Sequence, residues 1–375
     1  MFNFAIRETP WGASLTADMS APSSRRLDSL CLPDGEVIRP FDIHREDRGR
    51  LIELKEEVYD RPVDRSVFEW QYFRHPRSSE IRVFVVEHER RIVAATTRFP
   101  ATLRLGGADH ACFFNIDSMV HPEQRRRGRM RDLYLFARTH LPPGSIGLSK
   151  GSSANIYPLL LSIGHREILP NNYLVNYPSA TRWLMSRLHL RSPSSRPPGS
   201  PGGLVVSRAP AGFEDFQPVE RFGPELDAYF ERVSSKFPGL LVRDAAYMNW
   251  RYADIPHRRY FAFRRVERGE VVSFVIVGVN GDQGHLVDLL WDPERDDSPE
   301  RCVRLAKAVF EERHAVRVIC FATHPRLRDA LLRTGFVERG ESPRFSAHIP
   351  PSAEAAFAAA HELHVVDGDG DTEFS

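Results

Sequence analysis

The sequence predicts an α/β protein built from two tandem copies of one domain. Three observations lead there: a skeleton of motifs recurring at fixed spacing, strands alternating with amphipathic helices inside each copy, and a Pro/Ser/Gly-rich break between the copies. The skeleton opens with Trp70-Gln-Tyr72 followed by Pro76, matched by Trp250-Arg-Tyr252 followed by Pro256. Next come Ile116-Asp117 with Pro122-Glu123, and Val287-Asp288 with Pro293-Glu294. Leu160-Leu161-x-x-Gly164 then matches Leu331-Leu332-x-x-Gly335, and the Asp-to-Gly interval is 47 residues in both copies (117 to 164, 288 to 335). Ordered matches that share an interval are the mark of a repeat.

Within the first copy, Asp47–Tyr59 reads as a helix with Leu51, Ile52, Leu54 and Val58 near one face. Arg82–Glu87 and Arg91–Phe99 are rich in β-branched residues and form a hairpin around His88–Arg90. Cys112–Val120 is a further strand. Met130, Leu133, Tyr134, Ala137 and Leu141 fall at helical spacing over 130–141, and Pro142-Pro143-Gly144 ends that helix. A short strand over Ile146–Ser149, a helix over Asn155–Ser162 stopped by Gly164, and a last strand over Tyr173–Tyr177 complete the copy. The second copy repeats the order as Tyr260–Val266, Val271–Val279, His285–Trp291, Glu300–His314, Val316–Ala322, Arg326–Thr334 and Arg344–His348.

These readings divide the chain into a poorly ordered N-terminal segment (1–36), a first domain (37–185), a linker (186–214), a second domain (215–350), and an Ala-rich stretch ending in a frayed acidic tail (351–375, with the tail from Asp367). The linker holds RSPSSRPPGSPGG at 191–203, where Pro removes donors and Gly and Ser add chain entropy. Across 375 residues the formal charge is +1, so any basic function is local and no nucleic-acid partner is expected. The four cysteines are scattered with no C-x-x-C pair, which gives neither a disulfide framework nor a zinc site; no metal is expected. With no basic-then-apolar leader and no long apolar run, the expected setting is a reducing cytoplasm without a membrane span.

Chemistry concentrates in Ile116–Arg131, IDSMVHPEQRRRGRMR. A strand ends at Val120, a turn carries Pro122, and Arg125-Arg126-Arg127-Gly128-Arg129-Met130 opens a helix. Unsatisfied N–H groups and the positive end of the helix dipole point to one spot there, a ready site for a diphosphate. Gly128 lets backbone and phosphate approach closely, and the arginines add charge-assisted hydrogen bonds.

Val120-His121-Pro122 followed by Arg125-x-x-Gly128-x-Met130 resembles the acyl-CoA motif of the GNAT (GCN5-related N-acetyltransferase) superfamily, with Met130 where the family carries Gly or Ala. Ile146–Ser149, Asn155, Tyr157, Leu160 and Gly164 resemble its second motif. The likeness covers 37–180 well and 215–348 more loosely, and the tandem Trp-x-Tyr arrangement resembles a bacterial two-domain subgroup.

The resemblance implies a mixed, mostly antiparallel sheet flanked by helices in each domain. It implies an acyltransferase that moves a non-aminoacyl group, acetyl or another acyl, from CoA to the primary amine of a small molecule or peptide. Backbone around Met119 and Val120 would hold the pantetheine arm and polarise the thioester carbonyl. The amides of Arg125, Arg126, Arg127, Gly128, Arg129 and Met130 would hold the diphosphate, and Asn155 would touch the CoA arm. Tyr157 would protonate the departing thiolate. Asp117, then Glu123, are the candidate bases, with His121 behind them; Asp288 recurs at the Asp117 position, which also fits a shared structural role.

In the second copy the corresponding turn reads Trp291-Asp292-Pro293-Glu294-Arg295-Asp296-Asp297-Ser298-Pro299-Glu300, without glycine and with acid in place of arginine. It would repel a diphosphate, leaving substrate recognition, with Trp291 as a cleft wall, or a purely stabilising role. The Trp-x-Tyr motifs are expected as packing anchors. A silent acyl-CoA sensor and a Fem-like aminoacyltransferase are the alternative functions.

Overall fold

The computed structural model describes residues 28–32, 35–168, 170, 172–178, 202–295, 298–340, 343–360 and 362–369. Most of the expected linker (186–201) and most of the N-terminal segment (1–27) lie outside them. Two twisted sheets flanked by helices make up the molecule. No described helix is long and apolar enough to cross a membrane.

The first sheet contains β1 (Val37–Phe41), β2 (Arg82–His88), β3 (Arg91–Leu105), β4 (Ala108–Val120) and β5 (Ile146–Ser149) in that order. Strands β1 to β4 are antiparallel, and β5 joins β4 in parallel. Helices α1 (Gly49–Tyr59) and α2 (Arg65–Tyr72) precede β2, α3 (Arg129–Thr139) joins β4 to β5, and α4 (Ile156–Ser162) follows. Alternation along the strands sorts the two faces. Val83, Val85 and Ala95 pack with Leu51, Ile52 and Leu54 of α1, while Phe84, Val86 and Ala94 pack with Met130, Leu133 and Ala137 of α3. Helices α1 and α3 therefore cover opposite faces.

The short β6 (Arg166–Glu167) and β7 (Leu174–Asn176) end the first half. The second sheet is built from β8 (Phe216–Pro218), β10 (Arg259–Glu267), β11 (Glu270–Asn280), β12 (Gln283–Trp291) and β13 (Arg317–Cys320), with β9 (Gly239–Leu241) departing to pair with the far end of β3. Helices α5 (Pro224–Ser234), α6 (Ser298–Glu312) and α7 (Pro325–Arg333) flank it. The last strands are exchanged between halves. β7 enters the second sheet between β13 and β14 (Val337–Glu338), and β15 (Ser346–His348) enters the first sheet between β5 and β6.

The two Trp-x-Tyr motifs meet at the junction. Trp70 and Trp250 stack with centroids 4.9 Å apart and planes 12° from parallel. Each indole N–H donates to the other's backbone carbonyl, at 2.7 and 3.0 Å. Each motif's tyrosine donates to its own half's aspartate: Tyr72 to Asp117 at 2.7 Å and Tyr252 to Asp288 at 3.1 Å. The tryptophans lock the halves together, and the tyrosines hold the carboxylates.

Three expectations are corrected. Leu30–Cys31 pairs antiparallel with Val37–Ile38 and Glu36 is buried, so the hairpin extends the ordered chain before residue 37. Leu363–His364 (β16) runs parallel to β9, and Val365, Val366, Asp367 and Asp369 are buried, so the acidic tail is core as far as Asp369; 370–375 lie outside the described residues. Its carboxylates are matched by buried cations, Asp367 by Lys150 and Asp369 by Arg243. Trp291 has no exposure and sits edge-on to Phe237, His324 and His364, so it walls no cleft. Cys112, Cys302 and Cys320 are buried free thiols, and burial pushes those of Cys112 and Cys320 up.

Candidate active site

Strands β4 and β5 pair only as far as Phe114 and Leu148, then part. From Asn115 onward the β4 edge has lost its strand partner, and a cleft of about 210 Å³ opens there. Residues 115–118 of β4, Ser149 at the end of β5 and 150–153 after it line it, together with Lys55, Tyr59, Arg61, Tyr134 and Ile156. Lys55 belongs to α1 and Tyr134 to α3, so the cleft reaches through the sheet from one face to the other.

A bulge shapes its wall. Ala95 faces Met119 while Thr97 faces Ile116, leaving Asp117 and Ser118 opposite the single residue Thr96. Asp117 takes a positive φ of 46°, uncommon for a residue with a side chain. Its Oδ2 accepts from Lys55 Nζ at 2.8 Å, Tyr72 OH at 2.7 Å and Gln71 Nε2 at 3.3 Å. No described donor engages Oδ1. On the other face Ser118 Oγ lies 2.7 Å from Tyr134 OH and 3.0 Å from Thr96 Oγ1. Ser149 and Ser152 hydroxyls meet at 2.8 Å across the β5 exit, and Lys150 Nζ turns to Asp367 of the C-terminal segment.

The arginine-rich loop adjoins this wall. A 3-10 turn over Pro122–Gln124 leads to Arg126 and Gly128, both at positive φ (66° and 78°), and α3 starts at Arg129. Arg125, Arg126, Arg127 and Gly128 are exposed. Two of the loop's residues turn inward. Arg129 is buried in an ion pair with Glu36, and Met130 packs on Leu133, Phe84 and Val86, away from the loop. Met119 is buried on the α1 face, and Val120 packs on the α3 face.

Of the residues singled out from sequence, the cleft includes Asp117 alone. Glu123 is exposed on the 3-10 turn, and His121 faces Glu57 at 3.5 Å. Asn155 is exposed at the α4 start and makes no side-chain capping bond; Tyr157 is half-buried one residue beyond Ile156, the α4 residue that lines the cleft. Sequence reasoning passed over Lys55, Tyr59, Arg61, Tyr134 and Lys150. Lys55 reads as a solvated helix position and Tyr134 as one of an apolar stripe; only the sheet's parting turns them toward a common space.

The second half parts its strands at the same place. β12 and β13 pair only as far as Leu286 and Cys320, each 172 residues beyond Phe114 and Leu148 (114 to 286, 148 to 320). Its gap is filled by the chain's own C-terminal segment. Val366 bridges to Ala322, Thr323 N–H donates to Val365 O at 3.0 Å, and Gly368 N–H donates to Val287 O at 2.7 Å. A Cβ on Gly368 would lie 2.2 Å from Tyr252 OH, so only glycine fits. Arg243 Nε meets both Asp288 oxygens at 3.1 Å and its Nη2 meets Asp369 at 2.7 Å. Burial, with the neighbouring Asp369 charge, pushes the Asp288 carboxyl up to about 6. At the corresponding turn, Lys236 neutralises Asp292 and Glu294 at 2.8 and 2.7 Å.

The first half thus has a sheet that parts beside a glycine-initiated helix with a basic turn. Residues 41–149 match the family profile described as Acetyltransferase (GNAT) domain. The match runs from the end of β1 to the end of β5. No curated protein sequence matches the chain. Among solved structures, the fold is shared with an Enterococcus faecalis V583 protein of unknown function, named a probable N-acyltransferase, at TM-score 0.56 and 13% identity over 84% of this chain and 72% of that one. A GCN5-related N-acetyltransferase from Anabaena variabilis gives TM-score 0.56 and 12% identity over 85% and 74%. A Saccharomyces cerevisiae N-myristoyltransferase with bound myristoyl-CoA gives 0.50 and 13% over 85% and 79%.

Proposed function

We propose that the chain is an acyl-CoA-dependent N-acyltransferase, moving an acyl group, acetyl or longer, from a CoA thioester to a primary amine. The observation that carries this is the cleft at the parting of β4 and β5, open through the sheet and adjoining the α3 start. The diphosphate would sit on the N–H groups at 125–130, with the exposed Arg125, Arg126 and Arg127 closing on it; Arg129 and Met130 would contribute backbone only. The pantetheine arm would enter from the α3 face and replace β5 along the unpaired β4 edge, near Met119 and Val120. The amine would approach from the α1 face, past Tyr59 and Arg61.

Attack needs a neutral amine. Asp117 suits the base: three donors fix Oδ2, and Oδ1 is left to take the ammonium proton. The second half would serve as a brace, since its own gap is filled. A cytoplasmic setting and tandem origin of the halves belong to the same reading.

Calorimetric titration with CoA, acetyl-CoA and longer acyl-CoAs tests it. Binding by wild type, weakened at least about tenfold in Gly128→Glu, is expected; tenfold corresponds to about 1.4 kcal/mol. Absence of binding by every CoA species would sink the proposal. Thiol release across an amine panel (aminosugars, polyamines, peptide N-termini) then identifies the acceptor and separates an enzyme from a silent binder.

A further inference from the structure

The charges of the cleft balance except at one place. Its lining holds the cations Lys55, Arg61 and Lys150 and a single carboxylate, Asp117. Lys55 Nζ meets Asp117 at 2.8 Å, and Lys150 Nζ meets Asp367 at 3.3 Å from behind the lining. Arg61 is exposed, and among the described residues no carboxylate pairs with it. Its guanidinium lies 5.9 Å from the Tyr59 ring centroid, at the edge of cation–π reach.

The backbone fixes that cation at the rim. Helix α1 ends at Tyr59, Asp60 turns left-handed at φ 50°, and the N–H groups of Asp60 and Arg61 both return to Glu56 O. Pro62 follows, and Val63 N–H donates to Glu56 Oε1 at 3.0 Å. The Glu56 carboxylate thus braces the turn, and the turn presents Arg61. Asp60 is exposed and lies off the lining. Lys55 and Tyr59 are one helical turn apart, about 6 Å along α1. Along this wall the half-buried Lys55, which holds Asp117, gives way to the exposed Tyr59 and Arg61.

An acceptor amine arrives as an ammonium, and a wall whose unmatched charge is positive repels it. A negative group elsewhere on the same molecule reverses that repulsion. A guanidinium takes carboxylate or phosphate oxygens two at a time, so Arg61 suits either anion. We propose that the acceptor is an amine that also bears an anionic group, carboxylate or phosphate, and that Arg61 selects for it. This rests on the acyl-CoA reading above. The anion docks on Arg61 at the rim, and the amine passes the Tyr59 ring to reach Asp117. A polyamine is disfavoured, because its second ammonium meets Arg61. The second half has no such rim: its gap holds residues 365–369, and its Arg243 is buried between Asp288 and Asp369.

The test measures thiol release by the full chain, using the CoA thioester that binds it most tightly. Acceptors come in matched pairs: γ-aminobutyrate with γ-aminobutyramide, and glucosamine-6-phosphate with glucosamine. Wild type should favour the anionic member of at least one pair by about tenfold in kcat/KM, the scale of a hydrogen bond to a charged group. The pair that shows the preference tells carboxylate from phosphate. Arg61→Gln should bring the ratio to about one, chiefly through KM of the anionic member. Arg61→Lys keeps the charge without the fork and should give an intermediate ratio, and Arg61→Glu should invert it. Added salt should lower the wild-type ratio, since the rim is open to solvent. Arg65→Gln, exposed on α2 and outside the lining, should leave the ratio as in wild type. A wild-type ratio at or below one in both pairs overturns the proposal. So does a ratio unchanged in Arg61→Gln, or one that falls equally in Arg65→Gln. Release with no amine of either kind sinks the enzyme reading and the proposal with it, whereas release that ignores the anion sinks the proposal alone.

Discussion

Where β4 and β5 part, the first half keeps an open cleft walled by Asp117, Ser118 and Tyr134; where β12 and β13 part, the second half is packed with residues 365–369. Both halves use a Trp-x-Tyr motif, a tyrosine-held aspartate and a strand pairing that stops at corresponding residues. The cation on the aspartate differs: Lys55 in the first half, partly open to solvent, and Arg243 in the second, fully buried between two carboxylates. A shared skeleton thus carries two outcomes. Polar residues and an edge without a strand partner leave a cleft, and a peptide of the chain's own makes a brace. The aspartate alone does not distinguish them.

The sharpest way to break the comparison is to remove the cation in each half. Arg243→Ala strands Asp288 and Asp369 in the core and should cost about 3–5 kcal/mol, read by urea unfolding. Lys55→Ala leaves Asp117 with two donors and some solvent and should cost about 1–2 kcal/mol. Equal losses would refute the contrast between brace and cleft. Trp70→Ala and Trp250→Ala bear on the symmetric element instead: each should cost about 3–4 kcal/mol, within the range for buried tryptophan, and the double variant should fall short of their sum because the rings share one contact.

Acid should weaken the junction and the second half together. Burial holds His75 and His324 at about 4, below the unfolded value of about 6.5, so the native state binds fewer protons than the unfolded chain between those values. Stability is therefore present above about pH 6.5 and falls as pH drops towards 4. Thermal unfolding of His324→Gln across that window should show a shallower decline; an identical slope would remove His324 from the account. The smallest effects belong to Tyr72→Phe and Tyr252→Phe, about 1 kcal/mol each. Of the two, only Tyr72→Phe should also alter acyl transfer, because it removes one of the three donors that fix Asp117 Oδ2.

The fold was legible where local pattern and global role agree. β-branched runs placed β2, β10 and β11 to within about a residue and the start of β3, which continues six residues past Phe99 to Leu105, and the repeated Leu-Leu-x-x-Gly placed the ends of α4 and α7. The glycine-opened loop was legible too, because positive φ at Gly128 is a requirement written in one residue. The strand exchange was not: β7 and β15 are interchangeable as short apolar strands, and only tertiary pairing decides which sheet each joins. The buried end was hidden for a related reason. Asp367 and Asp369 look solvated by composition, and their partners Lys150 and Arg243 lie 217 and 126 residues away. Tyr134 was concealed by its neighbours, since a phenol within an apolar helical stripe carries no sign that its hydroxyl meets Ser118.

The exchanged strands bear on how the chain comes to be folded. β5 waits for β15 on its outer edge, and β7 waits for β13, so the first sheet stays unfinished until residues 346–348 have been made. During synthesis the first half must persist with an open strand edge, the kind of surface that invites aggregation or pairing with a second chain. Pairings separated by about 200 residues also make closure slow. Each half expressed alone should accordingly be insoluble, whereas the two halves co-expressed as separate polypeptides retain every strand they need to complete each other.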